Sequence, residues 1–185
     1  PLNIIYFVLP YPWAWAITVM LQTLLASLFT YWYCRKIKCS TTASQLSGIA
    51  FAYSQFMSVF LEYNTIGHTL LYLPLALYFV EKLSEKKSWA SFIGLTLSLS
   101  FSFLAGHLQL FSLSLLFIFL YTIVRAKSAI LVVLLSFVAT LALCAVQLFP
   151  TLELMINSAR SNQEYRFLIE KLLIQPHQLI RFFIP

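Results

Sequence analysis

The short turn Gly106-His107-Leu108-Gln109 carries the first side chains in this sequence whose types suggest chemistry. A histidine takes up or gives a proton near neutral pH, and a glutamine amide offers both a donor and an acceptor to a hydroxyl or an anion. The same turn also reads as a polar hairpin tip that caps two helix ends. A second set is Glu153, Asn157, Arg160 and Glu164, spaced i, i+4, i+7 and i+11 and therefore on one face of a helix. Arg160 and Glu164 can form an exposed i, i+4 ion pair, worth about 0.2–0.5 kcal/mol. Alternatively, the planar fork of Arg160 suits a phosphate, and a carboxylate one or two turns away orients hydroxyls or a metal. Glu62, Tyr63, Asn64 and His68 add a third polar group, but none of them is singled out as catalytic. Glu62 marks the end of an apolar run, and His68 caps a short helix. His177, beside Pro176, is assigned no role.

The elements that hold these residues are apolar. The chain of 185 residues is 61% hydrophobic and 10% charged, where a soluble domain carries about 25% charged residues. At roughly 20 residues per crossing, about six membrane spans fit. They are expected near residues 13–33, 43–62, 68–80, 89–105, 108–124 and 129–149, the third interrupted by Pro74. Residues 1–11, broken by Pro10, read as an interfacial lead-in. Pro150 starts or kinks a more polar helix. The fold class expected is all-α, a polytopic transmembrane bundle of about six spans. Its transmembrane region covers residues 1–149, and an extracytoplasmic or interfacial helical segment covers 150–185.

Charge orients the bundle. The clusters Arg35-Lys36-Lys38, Lys82-Lys86-Lys87 and Arg125-Lys127 alternate with connections around 63–68 and 105–109 that hold no Lys or Arg. Positive loops resist translocation. Loops near 34–40, 81–88 and 125–128 are therefore expected in the cytoplasm, and His107 and Gln109 on the opposite face. Glu81 and Glu85 read as solvated partners of the neighbouring lysines. The net charge of +6 is loop punctuation and not a continuous patch, which argues against nucleic acid. The three Cys form no disulfide framework, and the three His lack metal-ligand spacing. Residues 95–103 alternate apolar and polar as a strand would. They also place Ser91, Gly94, Ser98, Ser102 and Ala105 on one helix face, and the helical reading is adopted. Ser44, Ser47 or Gly48, Gln55 and Ser58 form a similar small-residue stripe, and both stripes are expected to pack helices together.

Several tracts together carry a resemblance. They are the Pro-Leu-Asn start, Tyr31 with Arg35, Leu73-Pro74-Leu75 followed by Glu81, Ala105-Gly106-His107-Leu108-Gln109, and Gln147-Leu148-Phe149-Pro150-Thr151-Leu152-Glu153-Leu154 with Ser158-Ala159-Arg160. The chain resembles the bacterial YfhO-like membrane proteins, related to the C-type glycosyltransferase (GT-C) superfold, over nearly its whole length. Leu108 stands where that family usually has Pro. The resemblance implies sugar transfer from a polyprenyl-phosphate donor to a cell-envelope glycan or lipid acceptor, at the outer face of the bacterial cytoplasmic membrane. It implies Arg160 at the lipid phosphate, His107 and Gln109 at donor or acceptor, Glu153 as a second carboxylate, and Ser158 within the same binding tract. A divalent cation is an optional cofactor. The family's catalytic Asp has no counterpart here, since the chain has no Asp. The chain, which begins at Pro1 without Met, is read as an internal fragment with that acid upstream. Two other readings stay open: a lipid-linked sugar flippase, and a non-catalytic scaffold.

Overall fold

The computed structural model describes residues 2–63 and 65–158. Those residues form helices and turns, with no strand among them. The chain divides into two compact units, Pro1–Ala145 and Val146–Pro185. In chain order the helices are α1 (Tyr11–Lys36), α2 (Thr41–Ala52), α3 (Gln55–Val59), α4 (Ile66–Leu70), α5 (Tyr72–Glu85), α6 (Trp89–Leu104), α7 (Leu108–Arg125), α8 (Ile130–Leu143) and α9 (Ala145–Ile156).

Local chemistry sets the boundaries. The side chains of Ser40, Ser54 and Ser88 each accept a hydrogen bond from the backbone N–H three residues on, at 3.2, 3.4 and 3.2 Å, capping α2, α3 and α6. At the end of α1, Lys38 adopts a left-handed φ of 68°. This lets Cys39 N–H reach back to the Cys34 carbonyl at 3.0 Å and close the helix. Pro74 does not interrupt the third apolar run. The break falls at Leu71, and Pro74 lies in the first turn of α5, where its missing N–H leaves no bond unmade. Pro150 lies inside α9.

These breaks change the span count. Among the described residues two helices, α1 and α7, are long and apolar enough to cross a membrane, or three if α8 with the turn before it and α9 make one broken span. About six full spans is therefore too many. The second apolar run is divided at Tyr53 and Ser54, the third at Leu71, and the last ends α8 at Leu143. An α6 of 16 residues rises only about 24 Å, short of the roughly 30 Å hydrocarbon core. The surface suits lipid nevertheless: Leu131, Leu135 and Val138 of α8 are 69%, 61% and 64% exposed.

The α6 stripe is a packing surface, and of the second stripe only the part on α2 is. On α2 the buried positions are Ser44, Gly48 and Ala52, while Gln55 and Ser58 of the expected stripe are exposed. A methyl group at Gly48 would lie 2.7 Å from the Ser27 carbonyl oxygen, so α1 and α2 touch backbone to backbone. On α6, Gly94 receives the ring of Phe79 from α5. Ser102 Oγ donates to the Thr69 carbonyl of α4 at 2.7 Å. Most interior hydroxyls bond back within their own helix, as Thr18 does to Ala14 at 2.6 Å and Thr122 to Ile118 at 2.7 Å. That is how Ser and Thr enter an apolar interior without an unmet donor. The core between α1, α2, α3 and α5 is built from Ala26, Phe29, Ala52, Met57, Leu71 and Tyr72.

The three basic segments meet at one end of this first unit. Lys36 pairs with Glu85, Arg125 with Glu81 at 2.7 Å, and Ser128 Oγ donates to the Ser84 carbonyl at 3.1 Å. Lys36, by its hydrogen bond first and its charge next, holds the Glu85 carboxyl below the usual carboxylate range. A carboxyl depressed on folding stabilises the protein above its unfolded value, about pH 4.3, and loses that contribution as pH falls through its folded value. The midpoint of thermal unfolding should therefore drop on acidification below about pH 4.3, and Glu85→Gln should flatten part of that drop. Glu85 is well exposed, so the expected effect is small. Parallel acid limbs in wild type and variant would refute it.

Candidate functional site

The joined C-terminal ends of α1, α5 and α7 define a basic end. Helix α7 has 18 residues, so its two ends lie about 26 Å apart. His107, the N-cap of α7, is thus set well away from Arg125. Gly106 adopts a φ of 97°, in the left-handed region that glycine enters without a Cβ penalty. The turn it makes directs His107 Nδ1 to accept from Leu110 N–H at 3.2 Å. With Nδ1 as acceptor, the neutral ring keeps its proton on Nε2. His107 is half-buried and Gln109 exposed.

A helix cap and a ligand contact can both use this histidine, and substitution separates them. His107→Ala should destabilise the protein by about 1 kcal/mol through the lost cap, whereas His107→Asn should restore most of that. Denaturation in mixed micelles measures both. Equal losses in Ala and Asn would mean the cap contributes nothing.

The other candidates belong to the second unit. Glu153 is exposed on α9. Helix α9 ends at Ile156, so Asn157 follows in a turn, its N–H bonded to the Glu153 carbonyl at 3.0 Å. Ser158 Oγ donates to the Met155 carbonyl at 3.0 Å. Arg160 and Glu164 lie outside the described residues. The five sequence candidates are therefore divided between the units, with His107 and Gln109 on the first. Among the described residues no three His, Cys, Asp or Glu side chains gather as a metal set.

Two features escape the sequence reading. Glu81 is not a solvated partner of lysines: its carboxylate is 13% exposed and binds Arg125 and the Tyr121 hydroxyl. Tyr121 in turn accepts from the Tyr33 hydroxyl at 3.1 Å, so one carboxylate links α5, α7 and α1. The spacing Tyr121 to Arg125, one helical turn, was the available signal. His68 does not cap a helix in an outer loop. It is 4% exposed within α4, while Gln22 of α1 is 0% exposed. A methyl group at Gly67 would lie 2.2 Å from Gln22 Nε2, so the amide packs directly on the α4 backbone. A lone Gln in an apolar run was the signal, because an intramembrane polar group has to find a partner.

Along the flank of α1 run two open grooves that share Leu24 and Ser27. One, of about 550 Å³, is lined by Tyr31 and by Thr42, Gln45 and Ile49 of α2. The other, of about 480 Å³, extends to Ile17, Met20 and Tyr53. Comparison with protein-family models, curated proteins and solved structures finds no match for this chain.

Proposed function

We propose that this chain is part of a membrane glycosyltransferase of the GT-C kind, using a polyprenyl-phosphate sugar donor and a cell-envelope glycan or lipid acceptor at the outer face of a bacterial cytoplasmic membrane. The observation that carries the reading is the polarity of the first unit. Its basic segments are tied together at one end, and the His107–Gln109 turn lies about one bilayer thickness away along α7. Basic loops in the cytoplasm leave that turn outside. The apolar grooves along α1 suit the side-on approach of a lipid chain, and Gln109 is open to solvent.

In such a reaction the acceptor hydroxyl oxygen attacks the anomeric carbon. Its proton passes to a carboxylate, and the bond to the lipid phosphate breaks. The role assigned to Arg160 is to offset the charge developing on that phosphate. His107 Nε2–H and Gln109 are assigned to sugar or acceptor hydroxyls, Ser158 to a hydroxyl contact, and Glu153 to a second, substrate-binding carboxylate; the proton-accepting carboxylate is assigned to no residue of this sequence. A flippase for the same lipid-linked sugar is the second reading, favoured by the buried pair His68 and Gln22, because transport paths need polar groups inside the bundle.

Transfer of a labelled sugar from polyprenyl-phosphate donors by the intact protein in proteoliposomes tests this. We expect Arg160→Ala to lose at least about 100-fold in rate, the order seen when one charge-stabilising donor is removed. His107→Asn, which keeps the cap, should reduce transfer at unchanged expression. Full activity in both variants would remove these residues from the site. Absence of transfer in the wild type, with lipid translocation present, would favour the flippase.

A further inference from the structure

We propose that Gln22 and His68 form an internal binding site for a water molecule, held between α1 and α4 in the apolar interior of the first unit. Both amide atoms of Gln22 and the Nε2 of His68 are buried without a hydrogen-bond partner, and the two side chains are 0% and 4% exposed. Their polar neighbours are already satisfied: Thr18 Oγ1 bonds to Ala14, Thr69 Oγ1 to Thr65, and Ser102 Oγ to the Thr69 carbonyl. What remains unmet here is an amide nitrogen with two N–H donors, one amide oxygen and one ring nitrogen.

The ring nitrogen is an acceptor. His68 faces the Thr18 backbone carbonyl, which places its proton on Nδ1 and leaves a lone pair on Nε2. A water donates to that lone pair while accepting from the Gln22 amide N–H, and its second proton serves the amide oxygen. Buried waters typically make about three such bonds to groups that otherwise have none. No acid of this unit substitutes for it: Glu62 is exposed, and Glu81 and Glu85 are engaged by Arg125 and Lys36 at the basic end. Gly67 makes the approach possible, since any side chain there would take the place of the Gln22 amide.

Two measurements on the full chain in lipid nanodiscs test the site. In nitrogen-15 solid-state NMR, magnetisation from water protons should reach both the Gln22 side-chain amide and the His68 ring, with the ring in its Nδ1–H form. Absence of transfer at either group overturns the proposal. In thermal unfolding, Gln22→Leu and His68→Leu should each lower Tm by about 2–4 °C, because each leaves the other group short of a partner. The double variant should lose less than the sum of the two. A dry site predicts the reverse sign, since leucine then relieves an unmet polar group. A rise in Tm in either single variant, or losses that add, would refute the water. Should His68→Leu fail to fold, the NMR arm and Gln22→Leu still decide.

Discussion

Replacing Gly48 by leucine is expected to loosen α1 from α2 and to destabilise the protein by about 3 kcal/mol. The reason is geometric. The first carbon of any side chain at Gly48 meets the Ser27 carbonyl oxygen at 2.7 Å and Ser27 Oγ at 3.0 Å. The first of these is backbone, so it cannot rotate away and the helix has to move. Alanine is the more informative variant. Its overpacking penalty of about 1–3 kcal/mol is offset by about 1 kcal/mol of helix propensity gained over glycine. Gly48→Ala should therefore be destabilising by only about 1 kcal/mol, and Gly48→Leu by clearly more. Unfolding in mixed micelles gives both numbers. A neutral Gly48→Leu would show that α1 and α2 do not touch here.

Glu81→Ala is expected to cost about 2 kcal/mol. It removes the acceptor shared by Tyr121 and Arg125, and with it the tie between α5, α7 and α1. Most of the loss should come from the half-buried Tyr121 hydroxyl, which is left without its acceptor. Arg125 is 51% exposed and regains water when unpaired, so its share is small. Accordingly Arg125→Ala should cost less than about 1 kcal/mol. Glu81→Gln, which keeps an acceptor for Tyr121, should fall between the two. If Arg125→Ala proved as damaging as Glu81→Ala, the ion pair and not the tyrosine bond would be holding this end together.

The candidate site was legible in proportion to how local its signals are. The Gly106-His107 turn could be read directly, because a φ of 97° and an N-cap each depend on a few consecutive residues. Its second reading, as a cap, is what the Nδ1 bond to Leu110 makes concrete. The small-residue stripes were readable for the same reason, since helical spacing alone puts Ser44 with Gly48 and Ser98 with Ser102 on one face. Glu81 was misread because its neighbours in sequence are lysines, while its partners Tyr121 and Arg125 lie 40 and 44 residues away. His68 was misread as the cap that begins a helix because the break sits after it, at Leu71, and nothing in a hydropathy pattern distinguishes a buried histidine from a capping one.

Composition and spacing by themselves determined that this chain is helical, apolar on its outer surface and punctuated by three basic segments. Those properties are sums over single residues or over one helical turn. Only the tertiary structure decided where the helices break and how the basic segments join. It also showed that the Gln22 amide of α1 packs on the α4 backbone at Gly67, next in the chain to the buried His68. A helix end depends on whether a serine such as Ser54 finds a free N–H. The burial of Gln22 depends on two segments 45 positions apart in the chain approaching at Gly67. Such contacts are set by the shape of two surfaces together, and neither surface is written in the local pattern of its own segment.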